Sequence, residues 1–424
     1  MKDTSINGKF SFVNVPIMNI AKNVYLPQSL QEVAITSSNL SLVGNNTKTV
    51  IGAGLSFNYK DAYLSAFGEF CERYSCSFQN SGGLIYGTYE NLKKEYSCYD
   101  IETVKYYTKE QYNNPDFIFN KINVHKPIYW KWCTDFINDE PILMPYFMVG
   151  LENIVGDGLY HYNTSTGSSA HNSIPNALLG GFLECIERDA FCKFWYLQNY
   201  KKHNKLSSDF IQSKYPNNEK IQSIYNNKKI KIVTFNLCDF SYTPTFVTFI
   251  FFKDKGKLLQ SVGSASRLNI EDALLKSCLE AYQGIQYAKM CSEKYYDMLK
   301  DIEDFSIINE FDKHFAFYNI NPSLREESSI IREALNWENN YTNEIEEIYP
   351  NHIKELSTKE LKRAGITQFY FTEMTTPDVK ELNIDVVKII MPELHLLTGN
   401  FSYPYLGLFE DSSSLFLKYP HPFP

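Results

Sequence analysis

Pairs of oxygen-bearing side chains, three residues apart, recur along the chain. The pairs are Glu69 with Glu72, Glu184 with Glu187, and Glu280 with Gln283. Residues at i and i+3 share one face of a helix, so each pair presents two oxygen ligands in the same direction. Five carboxylates and an amide gathered in one place would repel each other unless divalent cations lay among them, and Mg²⁺ prefers such hard oxygen ligands. Because Mg²⁺ shares its coordination sphere with phosphates, the pattern predicts a nucleotide held through metal ions.

The glutamate pairs belong to a longer repeat over residues 51–73, 165–188 and 261–283. In each copy a segment rich in glycine and small residues precedes a run of helix-forming residues, and an alanine stands seven residues before the first glutamate. A single Glu-x-x-Glu pair is typical of a solvated helix face, whereas three pairs at a fixed offset, two of them among phenylalanines and leucines, indicate a functional site. The repeat predicts a turn and then a helix, with acidic residues or proline in each first turn.

Cationic and backbone groups close to these glutamates are candidates for phosphate contacts. Arg73 and Arg188 directly follow the second glutamate of two copies, and a guanidinium group binds phosphate oxygens through paired N–H donors. The segments 168–172 and 263–266, the latter containing Ser264, are predicted to be turns at or near helix starts. Backbone N–H groups in such positions favour anions.

Strands must support the three helices. Apolar runs at 141–149 and 245–252 predict strands, and residues 253–256 predict a hairpin turn after the second of them. Two further β-rich runs, at 368–375 and 384–391, are expected to add strands to the same sheet.

The expected fold class is α/β (α+β), in which repeated turn-helix units are backed by β-sheets. An N-terminal segment over 1–50 is followed by one composite domain over 51–424. Residues 291–360 are polar, acidic and helix-permissive, which indicates a helical insertion at the surface of that domain.

Composition narrows the classes of function. The 424 residues include 41 Lys and Arg against 49 Asp and Glu, a net charge of −8, which argues against nucleic acid or an anionic membrane as a partner. No N-terminal signal core and no apolar run of about 20 residues is found, so a membrane span is not expected and the chain is predicted to be cytoplasmic. The nine cysteines are scattered without a Cys-x-x-Cys pair, which argues against a disulfide framework or a thiolate zinc site.

Together the motifs resemble the YcaO family, whose members use ATP to activate peptide backbone amides. The resemblance rests on residues 68–73, 184–190, 277–283, 169–172 and 364–392, and spans roughly residue 50 to the end. It implies an α/β fold with this internal repetition, in which the glutamates hold Mg²⁺ ions that bridge the phosphates of ATP. The implied metal ligands are Glu69, Glu72, Glu184, Glu187 and Glu280. The implied ATP contacts are Ser169, Asn172, Arg188, Glu187, Gln283 and Ser264.

The last five residues, 420–424, read Pro-x-Pro-x-Pro, a stiff sequence that can be held extended at low entropic cost. A proline-rich terminus is ordinarily a frayed end. In this family, however, such a tail resembles that of azoline-forming cyclodehydratases of the streptolysin type, where it reaches toward the active site. The resemblance therefore implies catalytic roles for Pro424 and Arg73.

The reaction implied by the resemblance begins when a Cys, Ser or Thr side chain attacks the preceding amide carbonyl. The oxyanion takes the γ-phosphoryl group of ATP, and loss of phosphate leaves a thiazoline or oxazoline. The implied partners are a ribosomal precursor peptide, a separate ThiF-like protein that binds its leader, and a flavin dehydrogenase; the expected assembly is a homodimer. Backbone thioamidation, macroamidine formation and a non-catalytic nucleotide-binding scaffold remain alternatives on sequence alone.

Overall fold

The computed structural model describes residues 17–18, 23–36, 50–77, 83–151, 154, 158–198, 205–337, 341, 345 and 349–424. The strands are β1 (Ile17–Met18), β2 (Gln31–Thr36), β3 (Ile51–Ser56), β4 (Ile85–Gly87), β5 (Ile128–Asp135), β6 (Glu140–Pro145), β7 (Ser168–His171), β8 (Lys205–Leu206), β9 (Ile230–Asn236), β10 (Thr245–Asp254), β11 (Lys257–Ser266), β12 (Tyr370–Glu373) and β13 (Asp385–Ile390). The helices are α1 (Tyr59–Ser77), α2 (Tyr89–Leu92), α3 (Lys109–Asn113), α4 (Tyr146–Val149), α5 (Ile174–Leu197), α6 (Ser208–Lys214), α7 (Glu219–Tyr225), α8 (Ile270–Lys294), α9 (Tyr296–Leu299), α10 (Phe311–Ile320), α11 (Ser329–Leu335), α12 (Thr358–Arg363) and α13 (Pro377–Lys380).

The strands form three sheets, which confirms the predicted α/β (α+β) class. One sheet has the order β1-β2-β3, a second has β11-β10-β9-β8, and a third has β4-β5-β12-β13-β7 with β6 paired to β5. Neighbouring strands in all three are antiparallel. Among the described helices, none combines the length and the apolar character that crossing a membrane requires.

The three repeats were predicted to be turn-helix units, and the structure corrects this to strand-turn-helix. The glycine-rich segments lie in or directly before β3, β7 and β11, each followed by a short turn and then by α1, α5 or α8. The glycines are needed because helix and strand approach closely. A Cβ on Gly52 would lie 2.1 Å from the carbonyl oxygen of Ala66, and one on Gly263 would lie 2.2 Å from the backbone nitrogen of Ala281. The small residues therefore mark tight strand–helix packing and not loops.

The three units close into a ring. Helix α1 packs on its own strand β3 and on β7 of the second unit, α5 packs on β7 and on β11 of the third, and α8 packs on β11 and returns to β3 of the first. Each helix thus touches the strand of the following unit. Faces that lie far apart in sequence are directed towards one shared centre.

Most of the predicted strands are confirmed, but not their placement in one sheet. Strands β10 and β11 form the predicted hairpin, with Lys255 and Gly256 at its tip at φ values of 47° and 78°, as a tight two-residue turn requires. The runs at 368–375 and 384–391 contain β12 and β13, which pair with each other and belong to a different sheet from β10. The run at 141–149 is a strand only as far as Pro145 and continues as α4.

Part of the region 291–360, whose composition predicted a surface insertion, lies in the core. Its first residues complete α8, and α10 follows with residues 313–320 all buried, packed against α8 and β11. An apolar stretch within an acidic surround explains the burial, because its four aromatic side chains pack into two core clusters. Residues 338–340, 342–344 and 346–348 lie outside the described part of the chain.

The division at residues 50 and 51 stays a prediction. Strand β2 precedes that boundary, yet it pairs along its whole length with β3 of the first repeat, for example Ala34 opposite Ala53. Residues 1–16, 19–22 and 37–49 of the N-terminal segment lie outside the described residues.

Candidate functional site

The first glutamate of each pair is fixed by contacts within its own unit. Glu69 accepts a hydrogen bond from the backbone N–H of Ala53 at 2.7 Å, and Glu184 accepts one from the N–H of Gly167 at 2.9 Å. Their side chains are 29% and 26% exposed, against 37% for Glu280. All three are therefore partly open to solvent and are not sealed in the core; we call the space between these carboxylates the cleft.

A cation stands one helical turn from each of these carboxylates. The guanidinium of Arg73 lies 2.5 Å from Glu69, and that of Arg188 lies 3.4 Å from Glu184. In the third unit the corresponding position is a glycine, and Lys276, one turn before Glu280, forms the ion pair instead. Each unit thus brings one carboxylate and one cation to the cleft.

Mutual repulsion shows that the carboxylates of different helices converge. Burial, and then the charges of Glu184 and Glu69, raises the pKa of Glu72 well above its usual range. Burial raises the pKa of Glu187 to about 8, and nearby Glu184 and Glu280 add to the rise. The pKa of Glu69 is also raised, mainly by burial and further by Glu280. All three helices are therefore linked electrostatically, as the i,i+3 spacing predicted.

The pKa of Glu280, unlike those of Glu69, Glu72 and Glu187, lies below its usual value. Burial alone would raise the pKa of this carboxyl, but Lys276, Arg267 and Arg188 together hold it below its usual value. Arg267 also lowers the pKa of Glu187. Arg267 belongs to the site although no sequence motif singled it out, because it follows β11 in the loop before α8 and meets the glutamates only in the folded chain.

The donor set fits Mg²⁺ and a nucleotide in its chemistry. Carboxylates that raise each other's pKa are relieved by a divalent cation, and their oxygens are the ligands that Mg²⁺ takes. Two buried polar atoms at the site, the Ser264 hydroxyl oxygen and Nε of Arg188, have no hydrogen-bond partner among the described residues, and such atoms are expected to meet a ligand or water. Within the described chain, no three His, Cys, Asp or Glu side chains are yet grouped as a ready-made metal cage.

Two of the predicted ATP contacts, Ser169 and Asn172, lie farther along the cleft. Ser169 is in β7 opposite Gly180 of α5, and Asn172 follows β7, where its side-chain oxygen contacts Nδ1 of His171 at 2.6 Å and the amide of Asn176 at 3.1 Å. Asn176 and Glu184 are eight residues apart on one helix, about 12 Å at the usual rise. The role of Asn172 as an ATP contact stays a prediction.

The segments 168–172 and 263–266 were predicted to be turns at or near helix starts, and the assignment as turns is wrong. They coincide largely with β7 and β11, although the helices do begin close behind them, at Ile174 and Ile270. The predicted role of Ser264 consequently depends on its side chain and not on a helix terminus. Gln283 lies one turn beyond Glu280 on α8, half-buried, as the spacing required.

Lys388 is a buried lysine that none of the sequence motifs indicated. Its Nζ donates to the carbonyl oxygens of Thr164 at 2.6 Å and Thr166 at 2.7 Å, and the residue is 3% exposed. Burial lowers its pKa, against the opposing charges of Glu184 and Glu72. A single lysine inside the apolar strand 384–391 was the available signal. Lys388 anchors the segment leading to Gly167, whose N–H holds Glu184.

The C-terminal tail is buried and held in place. His421 is 1% exposed; its Nε2 donates to the carbonyl oxygen of Thr398 at 2.9 Å, and its ring stacks on His314 of α10 at 4.0 Å between centroids. The Nδ1 of His314 donates in turn to the His421 carbonyl oxygen at 3.2 Å. The buried helix α10 thus forms part of the surface on which the tail packs.

The tail ends beside the glutamates. The Phe423 ring lies 4.7 Å from the ring of Phe191 and 5.1 Å from the guanidinium carbon of Arg188, and Arg188 pairs with Glu184. Pro424 follows, half-buried. The structure therefore brings the tail to the site, while catalytic roles for Pro424 and for the half-exposed Arg73 stay predictions.

A family model described as YcaO cyclodehydratase, ATP- and Mg²⁺-binding, matches residues 53–395. The range contains all three glutamate pairs, and extends beyond Lys388. A search of curated protein sequences gives no match.

Solved structures share the fold at low identity. A heterocyclase in complex with substrate and cofactor is 18% identical with a TM-score of 0.67, over 97% of this chain and 55% of that one. The *E. coli* microcin synthetase McbBCD complex is 16% identical with a TM-score of 0.59, over 96% of each chain. A protein from *Methanopyrus kandleri*, bound with AMPPCP and Mg²⁺, is 15% identical with a TM-score of 0.55, over 90% of this chain and 86% of that one. The chain thus spans about half the length of the first heterocyclase.

Proposed function

Because the chain belongs to the YcaO family of ATP- and Mg²⁺-binding cyclodehydratases, we propose that it converts Cys, Ser or Thr residues of a ribosomal precursor peptide into thiazolines or oxazolines. The observation that carries the proposal is the ring in which α1, α5 and α8 each pack on the strand of the next unit, so that glutamates of different helices act on one another's charge. Such a cluster is costly unless it binds cations. Cationic side chains lie beside the glutamates, and the C-terminal tail lies beside Arg188. This order of groups suits ATP and a peptide.

The glutamates are the proposed metal ligands, and the neighbouring cations the proposed phosphate contacts. In the chain alone, Arg73, Arg188 and Lys276 neutralise the first glutamate of each unit. If these carboxylates were to hold Mg²⁺, Arg73, Arg188 and Lys276 would be the groups available to phosphate oxygens, which guanidinium and ammonium groups bind. Bound Mg²⁺ supplies Lewis-acid stabilisation of the charge on the phosphoryl oxygens.

The proposed reaction needs positioning more than it needs a reactive protein group. The substrate thiol or hydroxyl loses its proton to solvent as it attacks the preceding carbonyl carbon. The resulting oxyanion attacks the γ-phosphorus of ATP, which releases ADP. Loss of the amide proton and cleavage of the C–O bond then expel phosphate and form the C=N bond of the ring. Arg188 and Arg267 are placed to stabilise negative charge during phosphoryl transfer, and Ser264 offers a buried hydroxyl to the nucleotide.

The substrate and partners are proposed from related complexes. One structure of the *E. coli* microcin synthetase McbBCD complex has pro-MccB17 bound, and its fold matches this chain at a TM-score of 0.61 and 15% identity. By analogy, a precursor peptide is the proposed substrate and a ThiF-like leader-binding protein the proposed partner. A flavin dehydrogenase that oxidises azolines, a homodimeric assembly and a cytoplasmic setting complete the proposal.

The test combines the protein with its partner, ATP, Mg²⁺ and a Cys- and Ser-containing peptide, and follows peptide mass. One water should be lost per ring. Glu184→Gln and Glu187→Gln should each slow ring formation by about 100-fold or more with folding retained, while Glu293→Gln, an exposed change on α8 opposite Lys255, should leave it unchanged.

Other outcomes separate the alternatives. A sulfide requirement with an oxygen-to-sulfur mass change would replace the proposal by backbone thioamidation, and a cyclic product joined through an amidine would replace it by macroamidine formation. Turnover that is unaffected by Glu184→Gln and Glu187→Gln would instead favour a nucleotide-binding scaffold.

A further inference from the structure

Phe423 is placed so that it controls the position of Arg188. The residue is 5% exposed, with Phe191 on one side at 4.7 Å between ring centroids and the Arg188 guanidinium carbon 5.1 Å from its ring centroid. A guanidinium group close to an aromatic ring is attracted by the negative charge of the ring face. Phe191 and Arg188 are three residues apart on α5, so Phe423 spans one turn of the helix that carries Glu184 and Glu187.

Arg188 has few other restraints in the chain alone. Its Nη2 is 3.4 Å from Glu184, a long ion pair, and its Nε is buried without a hydrogen-bond partner among the described residues. The side chain is 18% exposed. The guanidinium group of Arg188 therefore has donors left for a phosphate beside the carboxylates, provided that its side chain is held in one orientation.

The side chain of Phe423, which contacts Arg188, is held in place by residues away from the glutamates. The backbone N–H of Phe423 donates to Nδ1 of His421 at 3.3 Å, and His421 is fixed by the Thr398 carbonyl and by stacking on His314. These anchors belong to α10 and to the segment before the tail, and involve none of the glutamates. The contacts that hold the tail are therefore separate from the glutamates, and they fix the position of Phe423.

We propose that Phe423 is a positioning residue for nucleotide binding, which acts through Arg188, so that docking of the C-terminal tail and binding of ATP strengthen each other. The inference rests on the proposed function for the role of the nucleotide. Linkage makes the effect reciprocal: the factor by which a docked tail tightens nucleotide binding is the factor by which nucleotide stabilises the docked tail. The range of cation–π energies corresponds to about 2- to 30-fold.

The first measurement is the dissociation constant for Mg²⁺ with a non-hydrolysable ATP analogue, without peptide. Phe423→Leu should weaken binding by about 2- to 30-fold, and should raise KM for ATP more than it lowers kcat. Phe416→Leu is the matched control, because Phe416 is a tail-proximal aromatic that packs on Trp195 and not on Arg188. A fluorinated phenylalanine at position 423 keeps the packing and withdraws charge from the ring face, so it should also weaken binding.

The second measurement is hydrogen exchange of residues 417–424, with and without the analogue. Nucleotide should slow exchange of the Phe423 amide by the same factor that Phe423→Leu costs in affinity. Unchanged affinity in Phe423→Leu, an equal loss in Phe416→Leu, or an exchange rate indifferent to nucleotide would each overturn the coupling. Because neither measurement uses peptide, a protein that binds nucleotide as described but forms no ring would refute the proposed function and leave this inference standing.

Discussion

Replacing Gly263 by alanine tests whether close strand–helix packing sets the position of the glutamates. The new Cβ would lie 2.2 Å from the backbone nitrogen of Ala281, 2.6 Å from the Ser277 carbonyl oxygen and 2.7 Å from the carbonyl carbon of Glu280. Ordinary van der Waals contact begins at 3.4 Å, so β11 and α8 would have to separate by about 1.2 Å. The atoms in the way are backbone, which cannot rotate aside as a side chain can.

The expected cost follows from that displacement. Overpacking a well-filled interior costs about 1–3 kcal/mol, and the lower chain entropy of unfolded alanine returns about 0.4–1 kcal/mol. We expect Gly263→Ala to lower the free energy of unfolding by about 2 kcal/mol. The separation also moves Glu280, and a misplacement of about 1 Å can cost about 100-fold in rate, so the ATP-dependent turnover of the folded variant should fall by at least about 10-fold.

Urea unfolding and a turnover assay, both at a temperature where the variant is fully folded, separate the two effects. Gly68→Ala is the matched control, because Gly68 precedes Glu69 within α1 and a Cβ there would meet nothing closer than the Ala170 carbonyl oxygen at 3.8 Å. Alanine is favoured over glycine in a helix by about 1 kcal/mol, so this variant should be at least as stable and fully active. Wild-type stability and turnover in Gly263→Ala would refute the packing reasoning, as would equal harm from Gly68→Ala.

Two further predictions concern buried basic side chains. Burial, with Arg188 nearby, lowers the pKa of His421 to about 4, from about 6.5 in a free chain, and its stacked neighbour His314 also has a pKa well below the usual value. The docked tail therefore binds fewer protons than the released tail. Docking should be strongest above pH 6.5 and should weaken towards pH 4 by up to about 3 kcal/mol. Hydrogen exchange of the tail, measured as a function of pH, checks this, and a rate of exchange that does not depend on pH would contradict it. Lys388→Met should destabilise the protein by about 2–4 kcal/mol in urea unfolding, since it leaves two buried carbonyl oxygens without a donor, and unchanged stability would show that other groups satisfy them.

The glutamate site could be predicted because its geometry is local. An i,i+3 spacing places two side chains on one helix face whatever the tertiary structure, and the fixed offset between copies identified all three helices. The family resemblance drawn from those motifs is confirmed by the family model over residues 53–395. Lys276 could have been found by the same logic, since a cation one turn before Glu280 replaces the arginines that follow Glu69 and Glu184.

The strands of the repeats could not be predicted from residue propensities. Glycine and serine are rare in strands because their small side chains contribute little packing. In these repeats a small side chain is required, because Gly52 and Gly263 lie in close contact with helix backbone. The buried α10 was missed for a related reason: the average polarity of 291–360 hid a short apolar core segment. Arg267 and Lys388 depend on long-range contacts that no local pattern encodes.

The arrangement of charge indicates which carboxylates gain most from a metal ion. In the first two units the first glutamate has its own arginine one turn later, and the second glutamate, Glu72 or Glu187, has no ion-pair partner among the described residues. The second glutamates are also the ones whose pKa values rise furthest, to well above the usual range for Glu72 and to about 8 for Glu187. Burial, and then the neighbouring carboxylates, favours the protonated form of these carboxyls, and a divalent cation would displace that proton on binding. In the first two units the carboxyl without an ion-pair partner therefore lies at the second position of the pair, where a cation bound between helices would neutralise it; the third unit has the uncharged Gln283 at that position.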